Sequence, residues 1–221
     1  MKITRRQLQR IIKEELATQP EIFCDMDGVL VDFVSGAIAL VNSVLDGLRP
    51  DLIESSKTAR RALRKTHAVL GNNWRITSTH DLRIKPIKSL MYAAVSAKAG
   101  EYFRDLLPLE DGINQLWPFI NSTGLKVNIL SAPIKTKSGI SAGEGKYLWV
   151  QKYLAPQPFN FYIVPAVDKQ KYATSNGPNI LIDDKAATIN QWNAAGGIGI
   201  LHISGNSQAS IEQLKQILKR Q

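Results

Sequence analysis

Hydrophobic positions along this chain follow two patterns in different stretches. Five short runs are apolar and β-branched with turn residues at their ends: 21–24, 126–130 ("KVNIL"), 159–164 ("FNFYIV"), 179–182 ("NILI") and 198–203 ("IGILHI"). Runs of this length and composition predict strands buried on both faces. Helical spacing of apolar residues covers 112–121, 143–154, 187–195 and 208–219, between and after the later runs. Strand and helix therefore alternate, the pattern of a three-layer, Rossmann-like α/β fold with a parallel sheet.

The alternation stops between residues 34 and 107. "VSGAIALVNSVLDGL", "ESSKTARRALRKTHAVL" and "KPIKSLMYAAVSAKAG" all have helical periodicity, and no strand pair lies among them. This stretch reads as a helical cap inserted into a core domain made of 19–33 and 108–221. Ahead of the core, Ile3, Leu8, Ile11, Ile12 and Leu16 oppose a set of basic residues. That predicts a separate amphipathic helix within 1–18, about 14 residues long and stopped before Gln19-Pro20.

Composition narrows the classes. The chain has 221 residues, of which 44% are hydrophobic and 21% charged, as in ordinary globular proteins. No apolar run reaches the roughly 18 residues of a membrane span. The start, "MKITRRQLQRIIKEEL", lacks the apolar core of a secretion signal. A single cysteine, Cys24, excludes an internal disulfide and fits a reducing compartment, so the expected location is the cytoplasm.

The net charge of +9 is uneven. Lys2, Arg5, Arg6, Arg10 and Lys13 form one cluster, and Lys57, Arg60, Arg61, Arg64 and Lys65 form another. Such clusters are solvated helix faces, steer anionic substrates, or neutralise nucleic-acid phosphates. Neither carries the interleaved aromatics that stack on bases.

The chemistry concentrates where the strands end. In "EIFCDMDGVLVDF" an apolar strand runs directly into Asp25 and Asp27, although an unpaired buried charge is strongly disfavoured. Ligands of parallel sheets bind beyond the carboxyl ends of the strands. The second strand brings Ser131 to that edge and the fourth brings Asp183 and Asp184, while Lys169 and Lys135 follow the third and second strands. Converging carboxylates call for a divalent cation, and all-oxygen ligation selects a hard one such as Mg²⁺. Lysines and a hydroxyl beside it match a phosphoryl group.

Other features carry less. Cys24 lies within a strand with no histidine close in sequence, and "GEGKY" lacks the first glycine and the final Ser or Thr of a phosphate-binding loop. "GGIGILH" leads into a strand and lacks the last glycine of a dinucleotide fingerprint, and His67, His80 and His202 have no zinc-ligand spacing.

With these residues in place, the chain resembles the haloacid dehalogenase-like phosphohydrolases. Their four motifs match "DMDGV" at Asp25, "ILS" at Ser131, Lys169, and "DD" at Asp183-Asp184. Within that superfamily "CDMDGVLVDF", "EYFRDLLPLEDGINQLW", "GEGKYLWVQKYL", "VDK" and "NILIDDK" resemble the 5'(3')-deoxyribonucleotidases, in the same order. The resemblance implies Asp25 as nucleophile and Asp27 as general acid and base. It implies Mg²⁺ held by Asp25, Asp27, Asp183 and Asp184, phosphate held by Ser131, Lys135 and Lys169, and a nucleobase met by Phe33, with Trp74 as a second candidate. Ala132 departs from the family's usual hydroxyl residue after the strand, which touches phosphate affinity or substrate preference. The implied substrate is a nucleoside monophosphate. Another small phosphoester, or nucleic-acid binding on this scaffold, is the alternative.

Overall fold

Five strands pair into one parallel sheet in the computed structural model, which describes residues 4, 19–54, 56–71, 75–137, 139–175 and 177–219. They are β1 (Ile22–Cys24), β2 (Val127–Ser131), β3 (Asn160–Ile163), β4 (Ile180–Asp183) and β5 (Ile198–Leu201), in the spatial order β3-β2-β1-β4-β5. Each expected strand is present, within a few residues of its expected ends. The helix expected within residues 1–18 and Trp74 both lie outside the described residues.

The chain divides into two compact units. The first contains Met1–Leu30, Leu109–Ala132 and Leu154–Gln221; the second contains Val31–Pro108 and Pro133–Tyr153.

In the first unit the sheet is flanked by helices, a Rossmann-like α/β arrangement. These include Trp117–Ser122, which follows a π-turn at Gly112–Leu116, then Ala186–Ala194 and Ser207–Leu218. The π-turn begins at Gly112, where a Cβ would lie 2.4 Å from the Val29 carbonyl oxygen, so the segment can approach this closely only as glycine. The core on one sheet face joins Phe23, Leu130, Leu181, Ile189 and Trp192, with Tyr162 and Tyr172 packed against it. Phe23 sits 5.5 Å, centroid to centroid, from Trp192. Large apolar groups of this kind hold the layers together, each worth about 3–5 kcal/mol if truncated to alanine.

A polar chain crosses the same sheet. Glu21 Oε2 accepts from Asn128 Nδ2 at 2.8 Å, and Asn128 Oδ1 accepts from Asn160 Nδ2 at 3.0 Å. Asn179 is fully buried. Its Oδ1 accepts from the Glu21 N–H at 2.8 Å, and its Nδ2 donates to the Tyr172 carbonyl at 2.7 Å. These bonds satisfy groups that would otherwise be stranded in the core.

The second unit is helical: Phe33–Leu45, Lys57–Leu70, Lys85–Ala97, Ala99–Asp105 and Ala142–Tyr153. Asp32 caps the first by accepting from the Ser35 N–H at 3.0 Å, and Ser56 caps the second by accepting from the Ala59 N–H at 3.2 Å. The unit takes in Pro133–Tyr153 as well as the insertion. The reason is a close helix crossing. A Cβ on Gly145 would fall 1.9 Å from the Gly100 carbonyl oxygen, and one on Gly100 would fall 2.3 Å from the Ile140 carbonyl oxygen. "GEGKY" is therefore a helix-packing surface. Trp149 Nε1 adds a 2.9 Å bond to the Leu106 carbonyl, and the Lys146 ammonium lies 4.3 Å from the Phe103 ring centroid.

Candidate active site

The order β3-β2-β1-β4-β5 puts β1 at the centre, where the chain reverses its direction of progress across the sheet. Binding sites of such sheets lie at that switch, beyond the carboxyl ends. β1 is only three residues long and delivers Asp25 there directly. The Asp25 N–H donates to the Ile182 carbonyl at 2.9 Å, and Cys24 pairs with Ile182, so Asp25 stands level with Asp183 on β4.

Beyond Asp25 the backbone turns. The Leu30 N–H returns to the Met26 carbonyl at 2.9 Å, and Gly28 adopts φ +79°. A Cβ at Gly28 would lie 2.5 Å from Asp184 Oδ2, so both conformation and space require glycine. Ser204 holds the turn from β5 by donating its hydroxyl to the Gly28 carbonyl.

Asp25, Asp183 and Asp184 each present a carboxylate oxygen within 4.8 Å of the others. Lys169, from the short helical segment Ala166–Tyr172 after β3, reaches into this group. Its Nζ lies 3.1 Å from Asp25 Oδ1 and 2.7 Å from Asp183 Oδ2. Asp25 Oδ1 also accepts from the Met26 N–H at 2.8 Å, and Asp183 Oδ1 accepts from the Lys185 N–H at 2.9 Å.

The charges shift one another. Burial alone would lower the Lys169 ammonium, but the Asp25 and Asp183 carboxylates overcome it and raise the pKa above the usual lysine value. Burial raises Asp183, Asp25 adds to the rise, and Lys169 opposes it. Asp184 is pushed up to about 6, chiefly by burial, with Lys185 working against the rise and Asp25, Asp183 and Asp27 adding to it.

These features fit a hard divalent cation. The donors are all carboxylate oxygens, and Asp184 Oδ1 is buried with no hydrogen-bond partner among the described residues. A single buried lysine between two of three carboxylates leaves an excess of negative charge that a cation would offset.

The remaining candidates are placed as follows. Ser131 ends β2, fully buried, on the strand next to β1. Asp27 is half-buried, two residues past Asp25, and is not one of the three clustered carboxylates. Lys171, the neighbouring lysine, pairs with Asp168 at 2.7 Å, so Lys169 is the one that meets the site carboxylates. Lys135 and Phe33 belong to the second unit. Lys135 is exposed, whereas Phe33 packs 5.8 Å from Tyr102 and 6.1 Å from Phe103, ring to ring. Burial pushes the Cys24 thiol well up, which leaves it inert.

Nothing in the sequence pointed to the parts played by Ser204, the Lys185 amide and the His202 amide, the last weighed only as a zinc ligand. The His202 N–H donates to the Asp183 carbonyl at 2.9 Å, and its Nδ1 shares a 2.9 Å bond with Ser210 Oγ. The only available signal was their position just after β4 and β5, because the Lys185 and His202 N–H donors leave no residue-type signature and a lone serine in a loop does not reveal its partner.

No protein-family model matches the chain, and no curated protein matches it. Among solved structures, it is similar to a hydrolase from Streptococcus pneumoniae TIGR4 at 15% identity and a TM-score of 0.47, covering 91% of this chain and 99% of that one. It is similar also to the magnesium-bound HAD-hydrolase YfnB from Bacillus subtilis, at 12% and 0.49, covering 90% and 98%. A HAD family enzyme from Bacteroides thetaiotaomicron, complexed with magnesium and inorganic phosphate, is similar at 13% and 0.42, covering 84% and 95%. At such scores these likenesses carry no weight in the chemistry, which stands on the geometry above.

Proposed function

We propose that this chain is a Mg²⁺-dependent phosphohydrolase of the haloacid dehalogenase-like kind, acting on small phosphoesters and, as its specific substrates, nucleoside monophosphates of the deoxyribonucleotide class. The observation that carries the reading is the trio Asp25, Asp183 and Asp184 within 4.8 Å at the carboxyl edge of the sheet, with Lys169 between two of them. The compartment we propose with it is the cytoplasm, where a free thiol such as that of Cys24 stays reduced.

In this reading an Asp25 carboxylate oxygen attacks phosphorus, the P–O bond to the leaving alcohol breaks, and Asp27 gives that oxygen its proton. Asp27 then takes a proton from water as the water attacks the aspartyl-phosphate. The P–O bond to Asp25 breaks, inorganic phosphate leaves, and the Asp25 carboxylate is restored. Lys169 and Ser131 bind and neutralise the transferring group. The Asp25 and Asp184 carboxylates and the Asp27 backbone carbonyl, with Asp183 close by, would hold Mg²⁺, which when bound would offset the phosphoryl charge and align it with the nucleophile. Lys135 as a phosphate ligand and Phe33 and Trp74 as base contacts rest on the resemblance alone.

The test is phosphate release from a panel of 5' and 3' nucleotides and simple sugar phosphates, with Mg²⁺ or EDTA. Turnover needing Mg²⁺, absent in Asp25→Asn and fastest on deoxyribonucleotides, is expected. Turnover confined to sugar phosphates would replace the nucleotide reading with the other small-phosphoester one, and none with any substrate would refute both.

A further inference from the structure

The helix Lys57–Leu70 has no part in the chemistry above, yet it is the most regularly charged surface in the described structure. Lys57, Arg60, Arg61, Arg64 and Lys65 are all exposed, at the spacing i, i+3, i+4, i+7, i+8 that places them on one face. Ala59, Ala62 and Thr66, on the other face, are buried. The helix contains no acidic residue, and among the described residues no carboxylate forms an ion pair with any of the five cations. Arg60 instead donates to the Glu54 carbonyl. Asp51, in the turn ahead of the helix, pairs with Arg49 and Lys98.

Two rows result, Lys57-Arg61-Lys65 and Arg60-Arg64, each advancing about 6 Å per step at roughly 1.5 Å per residue. Beside them runs a groove of about 500 Å³ lined by Ile53, Lys57, Arg60, Leu63 and Arg64. Cationic walls over an aliphatic floor suit a chain of phosphates joined by less polar units. A lipid surface suits the helix less well, because Val69 is its one exposed large apolar residue, with Leu63 and Leu70 half-buried, which leaves little to insert.

We propose that this face binds the sugar-phosphate backbone of nucleic acid, without base readout, as a function separate from the hydrolase site. Five phosphates neutralised by these side chains release their counterions and set a salt slope, d log K/d log[salt], of up to about −4.5 on duplex and about −3.5 on a single strand. Arginine suits the role because its guanidinium engages phosphate oxygens in a bidentate fork.

The experiment uses the full chain and fluorescently labelled 20-nucleotide single strands and duplexes, titrated by anisotropy from low to moderate salt. The comparison is with Arg60→Gln/Arg61→Gln/Arg64→Gln, which keeps helix propensity. The triple variant is expected to keep the wild-type thermal midpoint and phosphoester turnover, to bind at least tenfold more weakly at 50 mM salt, and to lose up to about 2.7 units of slope on duplex and about 2.1 on a single strand. Lys57→Gln/Lys65→Gln should lose up to about 1.8 on duplex and about 1.4 on a single strand. An unchanged slope in both variants would overturn the proposal, as would the absence of binding at low salt. Stronger arginine-dependent binding to phosphatidylserine vesicles or poly-glutamate than to nucleic acid would overturn it in favour of a membrane or an acidic protein.

Discussion

Lys169 Nζ lies 2.7 Å from Asp183 Oδ2, and exposure of the two side chains is 2% and 0%. Two residues fourteen positions apart are thereby joined where water cannot screen them. The same ammonium is 3.1 Å from Asp25, so one lysine holds together the two carboxylates that stand level just past β1 and at the end of β4. Replacing it leaves those carboxylates facing each other.

Lys169→Met is therefore expected to destabilise the metal-free protein by about 3–5 kcal/mol, the range for breaking a buried ion pair from one side. Mg²⁺ should restore part of the loss by binding the exposed charge. Urea unfolding in EDTA and in Mg²⁺ measures both quantities, and an equal loss in the two conditions would count against a cation at this site.

Asp184 gives a pH dependence with a definite sign. Its folded pKa of about 6 lies above the ordinary carboxylate value, so its charge opposes folding above pH 6, and that penalty is relieved as pH falls through 6. In EDTA, Asp184→Asn should be more stable than wild type at pH 7, and the difference should shrink at pH 5. Mg²⁺ competes with the same proton, so Mg²⁺ affinity of the wild type should weaken below about pH 6. Thermal midpoints of both proteins, and calorimetric Mg²⁺ titrations at the two pH values, test this.

Gly28→Ala should damage the site more than the fold. The added Cβ meets Asp184 Oδ2 at 2.5 Å, and φ +79° disfavours any side chain, so Asp184 must move or the turn must strain by about 1–3 kcal/mol. The expected outcome is a drop in Mg²⁺ affinity of at least tenfold with the sheet intact by circular dichroism. Unchanged affinity would show that the turn relaxes without disturbing Asp184.

In the second unit, Gly145→Ala places a methyl 1.9 Å from the Gly100 carbonyl oxygen. The helices Ala99–Asp105 and Ala142–Tyr153 must separate, at a cost of about 1–3 kcal/mol. A lower thermal midpoint with faster hydrogen exchange confined to these two helices is the expected signature, and an unchanged midpoint would mean that the crossing gives way easily.

The strands were legible because a strand buried on both faces needs a short apolar run, and "IFC", "VNILS" and "ILID" leave little alternative. Asp25, Ser131 and Asp183-Asp184 were legible as candidates for the same reason: each polar residue comes where an apolar run ends. Membership of Pro133–Tyr153 in the second unit was not legible. A glycine in "GEGKY" reads alike whether it faces a phosphate or the Gly100 backbone, because glycine has no side chain to reveal its partner. The basic cluster at Lys57–Lys65 was visible as composition, but only the structure showed that all five cations are exposed and pair with no carboxylate among the described residues.

What this sequence determined by itself was the alternating α/β order, the helical insertion and the set of carboxylates delivered to strand ends, because these follow from local periodicity and from the two-sided burial of parallel strands. Tertiary structure alone decided that Asp25 stands level with Asp183, that Lys169 and not Lys171 joins them, and that Gly28 yields its space to Asp184. The first and last come from strand order and register, which bring together residues more than a hundred positions apart through a backbone hydrogen-bond ladder that nearly every residue type can form, and Lys169 follows from the helical segment placed after β3.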